Sequence, residues 1–130
     1  MAKIEKMYQE DDWKTEKHVP VIEIKGEAKK DERIKVMASV GKEIAHPNTT
    51  EHHIEWIDLY FLPEGEKFPY ELGRYTFKAH GASAEGSNTS TVYSEPMVKA
   101  AFKTGKSGKL VANSYCNIHG LWTNEEKVEL

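Results

Sequence analysis

The only cysteine of the chain, Cys116, stands three residues before a histidine in Ser114-Tyr115-Cys116-Asn117-Ile118-His119-Gly120-Leu121-Trp122. A thiolate and an imidazole at this spacing, just past a strand end, can reach one metal ion from a single tight loop. Backbone N–H groups of such a loop can point at the sulfur and tune its electron density. Taken alone, the pair is more often a buried cysteine acting as a small hydrophobe beside an unrelated histidine. A second cluster shifts that balance. Three of the six histidines, His46, His52 and His53, crowd around the turn Pro47-Asn48-Thr49-Thr50. His46 and His52 flank the turn, so their side chains can converge. His52 and His53 are adjacent at a strand start and point to opposite faces, so only one of the two should ligate.

His18 leads into the first strand behind Glu16 and Lys17, which by themselves are an ordinary exposed charged pair. Its case rests on the other ligands it could join. His80, at a strand end before Gly81, reads as structural. The pooled candidates are His18, His46, one of His52 and His53, His119, and Cys116 as thiolate. Imidazoles with one thiolate suit iron, copper or zinc rather than calcium or magnesium, which take oxygen ligands. Four imidazoles plus a thiolate is one ligand too many for tetrahedral structural zinc and points to a five-coordinate ion with an open sixth position. An open position beside a Glu-Lys loop suggests reactivity.

The elements that must position these residues are strands. Ile34, Val36, Ala38 and Val40 alternate with mostly polar neighbours, the pattern of a half-buried strand. Val21 to Lys25 alternates less cleanly, and Ile54 to Leu62 is apolar enough on both faces for a central strand. Further strands are expected at Gly73–His80, Thr91–Pro96, Val98–Thr104 and Lys109–Cys116, with Gly- and Pro-containing turns between them. Only the first dozen residues offer a short helix. About seven short strands in this arrangement predict an all-β antiparallel sandwich.

The 130 residues carry 18 Lys plus Arg and 21 Asp plus Glu, a net charge of −3. With a pI near 6.1, the chain lacks the dense positive field that binding nucleic acid or an anionic membrane requires. No stretch approaches the roughly 20 apolar residues of a membrane helix, and the charged start MAKIEKMYQEDDWK is unlike a secretory signal. One cysteine excludes an intrachain disulfide and a four-cysteine metal centre. These features predict one domain over residues 1–130, cytoplasmic, with no nucleic-acid or membrane partner.

Three segments, Glu16-Lys17-His18-Val19-Pro20, His46-Pro47-Asn48-Thr49-Thr50-Glu51-His52-His53 and Cys116-Asn117-Ile118-His119-Gly120-Leu121-Trp122, together resemble the one-iron superoxide reductases, or neelaredoxins, of the desulfoferrodoxin family. The likeness spans nearly the whole chain, including Tyr60–Gly65 and Ala79–Gly81. It implies an immunoglobulin-like sandwich with one non-haem iron that cycles between Fe2+ and Fe3+ and reduces superoxide to hydrogen peroxide without releasing oxygen. The resemblance makes His18, His46, His52 and His119 the four equatorial nitrogens, Cys116 the axial thiolate and His53 a non-ligating neighbour. Glu16 matches the carboxylate that occupies the sixth site in the ferric state, and Lys17 the catalytic cation at its mouth. With no cysteine before Cys116, the chain lacks the additional four-cysteine iron module of two-iron members. Its electron would then come from an external donor such as rubredoxin, and the family implies a homotetramer.

A blue-copper electron-transfer protein is the rival from another class, also a β-sandwich with a C-terminal Cys-His loop. Such sites usually add a weak axial Met after the last His, and no Met follows Met97 here. A structural zinc site would use only four of the five candidates. An immunoglobulin-like adhesion module would bring paired cysteines and a signal sequence.

Overall fold

The computed structural model describes residues 3–130. Seven strands form two antiparallel sheets: β1 (Pro20–Lys25), β2 (Ile34–Val40), β3 (Ile54–Pro63), β4 (Tyr70–Thr76), β5 (Met97–Phe102), β6 (Gly108–Cys116) and β7 (Gly120–Val128). One sheet has the order β1-β2-β5 and the other β4-β3-β6-β7, an immunoglobulin-like sandwich. Alternation decides which side chains meet between the sheets. Ile34, Val36, Ala38 and Val40 face inward from β2, opposite Ile57, Leu59 and Phe61 of β3 and Leu110 and Ala112 of β6, all buried. Gly108 is set by a close approach, since a Cβ there would lie 2.3 Å from the Leu62 carbonyl oxygen.

Two expected strands need correction, and a third strand was not expected. The strand expected at Gly73–His80 begins earlier and ends at Thr76. No strand forms over Thr91–Pro96; that stretch is a largely exposed loop with one bridge, His80 to Tyr93. In its place β7 completes the larger sheet. Its Thr123-Asn124-Glu125-Glu126-Lys127 run shows no apolar alternation, because β7 pairs only with β6 as a strand and meets Gln9 at a single bridge on its other side. The short helix expected in the first dozen residues is one 3-10 turn, Ile4–Lys6; Met1 and Ala2 of that dozen lie outside the described residues.

The outward row of β3 holds one buried charge. Asp58 is 1% exposed and accepts hydrogen bonds from Arg74 Nε (2.7 Å) and Nη2 (2.9 Å) and from the Tyr60 hydroxyl (3.2 Å). Arg74 also lies over the Trp56 ring, 4.6 Å from its centroid. Removing one partner of such a pair strands the other charge. Arg74→Ala should therefore clearly lower the urea midpoint, because it leaves the buried Asp58 carboxylate without its two guanidinium hydrogen bonds. An unchanged midpoint would mean that water reaches Asp58 once the arginine is gone.

Candidate metal centre

All five candidate ligands lie at one end of the sandwich, where the strands of both sheets start or stop. His18 precedes β1, His46 follows β2, His52 precedes β3, and Cys116 and His119 bracket the turn from β6 to β7. Cys116 is placed by strand period. Gly108, Leu110, Ala112, Ser114 and Cys116 form one inward row, and the cysteine is its last, fully buried member. Cys116 then pairs with Gly120 across a three-residue connection. Gly120 has φ +80°, the left-handed conformation that closes such a hairpin at no Cβ cost. The turn brings the His119 backbone N–H to 3.4 Å from the Cys116 sulfur and its Nδ1 to 3.8 Å.

One donor atom from each of His18, His52, Cys116 and His119 lies within 4.8 Å of all the others. His18 Nε2 is 3.1 Å and His52 Nε2 3.2 Å from His119 Nδ1. A single proton on His119 Nδ1 could satisfy one of these contacts, not both, so lone pairs converge here. Two nitrogens bound to one ion at about 2.1 Å and about 90° would sit roughly 3 Å apart. His46 stands just outside this group, its ring centroid 4.8 Å from those of both His18 and His52. Its Nδ1–H donates to the Pro47 carbonyl at 2.6 Å, which leaves Nε2 as the free lone pair. That Nε2 is buried and has no hydrogen-bond partner. A buried acceptor without a donor is costly, and a metal ion would satisfy it.

Burial favours the neutral form of His46 and His52. Burial pulls His46 down to about 4; the Pro47 carbonyl opposes this, and the charges of His18, His52 and Lys17 add to it. His52 is lowered by burial and then by the charges of His119, His18 and Lys17. Neutral imidazole is the form that ligates. Lys17 thus places a positive charge within reach of the histidine cluster in a chain of net negative charge.

The remaining expectations sort clearly. His53 points away from the cluster: its Nδ1 lies 2.8 Å from the Thr49 carbonyl and its Nε2 2.8 Å from Glu55. It stacks on His80 with ring centroids 3.5 Å apart and planes 3° from parallel. His80 is held by Asn48 and the Phe77 carbonyl, in keeping with a structural role. Glu16 is not at the cluster opening; its carboxylate sits against His18 on the side away from the other ligand atoms.

Several braces escaped the sequence reading. Asn117 accepts from the His53 backbone N–H and donates to the Glu51 carbonyl, tying the Cys116–His119 turn to the His52 loop. Asn88, in the left-handed conformation, bonds Thr50 and Glu51 from a distant loop. Trp122 stacks on His18 at 5.0 Å, 14° from parallel, and donates to the His119 carbonyl. Its place at the end of the Cys116 motif was the one available signal.

The desulfoferrodoxin family model matches residues 10–125. The superoxide reductase of Pyrococcus furiosus is 63% identical over 91% of this chain and 93% of its own. The neelaredoxin of Megalodesulfovibrio gigas is 54% identical over 95% of each. Among solved structures, the reduced superoxide reductase (neelaredoxin) from Archaeoglobus fulgidus superposes with a TM-score of 0.89 at 60% identity, covering 95% of this chain and 99% of that one.

Proposed function

The chain belongs to the desulfoferrodoxin family, and on that premise we propose that it reduces superoxide to hydrogen peroxide at a single iron. The reaction consumes one electron and two protons per superoxide and releases no oxygen. The observation that carries this reading is the convergence of His18, His52, Cys116 and His119 beside the unpartnered Nε2 of His46. Four imidazoles and a thiolate fit iron among the first-row metals. We assign all five as its ligands, and read residues 1–130 as one iron-binding domain. When bound, the iron supplies the electron by passing from the ferrous to the ferric state.

The protein's own groups do the rest. Cys116 as thiolate lends electron density to the site, in the way a cysteine ligand favours reductive chemistry in haem enzymes. Lys17 draws the anion in and stabilises the charge that develops on reduction, its ammonium donating toward the product oxygen. Glu16 is read as the carboxylate that closes the site in the ferric state. Four imidazoles leave the blue-copper alternative, with two, unsupported.

Lys17→Ala should lower the second-order rate with superoxide about 10- to 100-fold and flatten its salt dependence, with iron content unchanged. An unchanged rate measured by pulse radiolysis removes Lys17 from the mechanism. Product stoichiometry tests the activity itself. With reductant present, a reductase yields one peroxide per superoxide and no oxygen, whereas a dismutase yields half as much peroxide and evolves oxygen.

The 130 residues hold a single cysteine, and this reading commits it to the site. An external, rubredoxin-type electron donor is the family-based proposal. A homotetramer and a cytoplasmic location are proposed on the same basis. No described helix is long and apolar enough to cross a membrane.

A further inference from the structure

The placement of Glu16 has a consequence for His18. One oxygen of its carboxylate, Oε1, accepts the His18 backbone N–H at 3.0 Å and lies 2.5 Å from His18 Nδ1. The backbone N–H groups of Thr15 and Glu16 both donate to the Asp12 carbonyl, so the carboxylate is delivered from an ordered turn. The oxygen that accepts the backbone N–H is the one that faces the ring, so Nδ1 is the donor and carries the proton between them. The opposite nitrogen, Nε2, is then an unprotonated lone pair, and it is the one that faces His119 and the cluster.

Other contacts fix where the ring lies but not which nitrogen is protonated. Trp122 covers one face, and the Ser114 hydroxyl holds the His18 carbonyl at 3.1 Å. Among the described residues no other hydrogen bond reaches His18 Nδ1. We propose that Glu16 is a positioning residue for His18, selecting the tautomer that presents Nε2 to the metal. This rests on the ligand reading given above. Nδ1 and Nε2 lie on opposite edges of one ring, so the carboxylate cannot hold Nδ1 and close the metal at once. The two seats are exclusive: the seat that leaves the metal open to substrate is the seat that orients His18.

The test separates these two roles with two substitutions and a metal that carries out no superoxide chemistry. In E16Q the amide oxygen can still accept Nδ1–H, although a neutral amide is a poor metal ligand; E16A can do neither. Zinc-loaded wild type should show a protected, downfield His18 Nδ1–H proton resonance. E16Q should keep it, less far downfield, and E16A should lose it. Zinc affinity by chelator competition should fall about 10- to 100-fold in E16A, the usual cost of losing such a partner, and less than about threefold in E16Q. Equal losses in the two variants, or a His18 Nδ1–H that persists in E16A, would overturn the positioning role. Zinc that leaves every His18 resonance unmoved would overturn the ligand reading and this inference with it. A failure of iron-loaded protein to reduce superoxide would leave the zinc result standing.

Discussion

Cys116→Ser should abolish the sulfur-to-iron absorption of the oxidised protein and lower superoxide turnover by about 10²- to 10³-fold, the scale of removing a principal electrostatic contributor from a reaction centre. The expectation follows from what serine retains and what it loses. Cys116 is fully buried at the end of an inward row of small residues, so the slightly smaller serine fits without a clash. The His119 backbone N–H that points at the sulfur can point equally at a hydroxyl. Folding should therefore change by no more than about 1 kcal/mol, the scale of one hydrogen bond. The missing property is the thiolate itself. A serine hydroxyl stays protonated near neutral pH and is a hard donor, so it can neither lend electron density to the metal nor produce sulfur-to-metal colour. The four imidazoles remain, and iron content should fall less than activity does. Visible absorption beside metal content checks this directly. Retained colour would remove Cys116 from the ligand set, and retained turnover without colour would remove the thiolate from the chemistry.

The sequence was most informative where rare chemistry coincides with strong alternation. Cys116 was legible both as a metal-ligating type and, through Leu110, Ala112 and Ser114, as the end of an inward row. His46 and His52 were legible because they straddle a turn, and the strand start separating His52 from His53 was visible as parity. β3 was legible from apolar residues on both faces and β6 from a run bounded by turn signals, whereas two-residue periodicity located β2 because that strand turns one face to the core. Periodicity failed for β7, where an edge position lets Glu125, Glu126 and Lys127 stay in water. It misled at Thr91–Pro96, where apolar Val92 and Tyr93 are exposed in a loop. Contacts between distant segments left no periodic trace. Asn88 on the Thr50–Glu51 turn, His80 on His53 and Trp122 on His18 each depend on tertiary approach. The seat of Glu16 was hidden for a different reason. A carboxylate two residues before a histidine can face either the metal or that histidine's outer nitrogen, and spacing does not choose between them.

Metal-free protein should lose stability steeply as pH falls from about 6.5 to about 4, and metal should protect it over the upper part of that range. His46 carries most of this effect. In the unfolded chain it takes up a proton near pH 6.5; in the fold, burial holds it down to about 4. Between these values the unfolded state binds more protons than the folded one, so unfolding free energy rises with pH across the window. Above 6.5 both states are neutral and the dependence vanishes; below 4 both are charged and it vanishes again. A fully buried ring with this shift would lose about 3 kcal/mol by pH 4, but His46 is only half buried and screened by water, so the expected loss is about 1–2 kcal/mol. His52 and His80 are lowered as well, both by burial first, so they add loss of the same sign. A bound metal needs the imidazoles deprotonated and stabilises only the folded state, so loading should move the onset of the loss to lower pH until acid releases the ion. Urea midpoints of metal-free and loaded protein at pH 7, 5.5 and 4 measure this. Equal midpoints at all three values for the metal-free protein would mean that the cluster opens to water and titrates freely without its ion. His46→Asn in the metal-free protein should flatten the curve by the largest share. If it leaves the slope unchanged, the acid sensitivity lies with His52 and His80 instead.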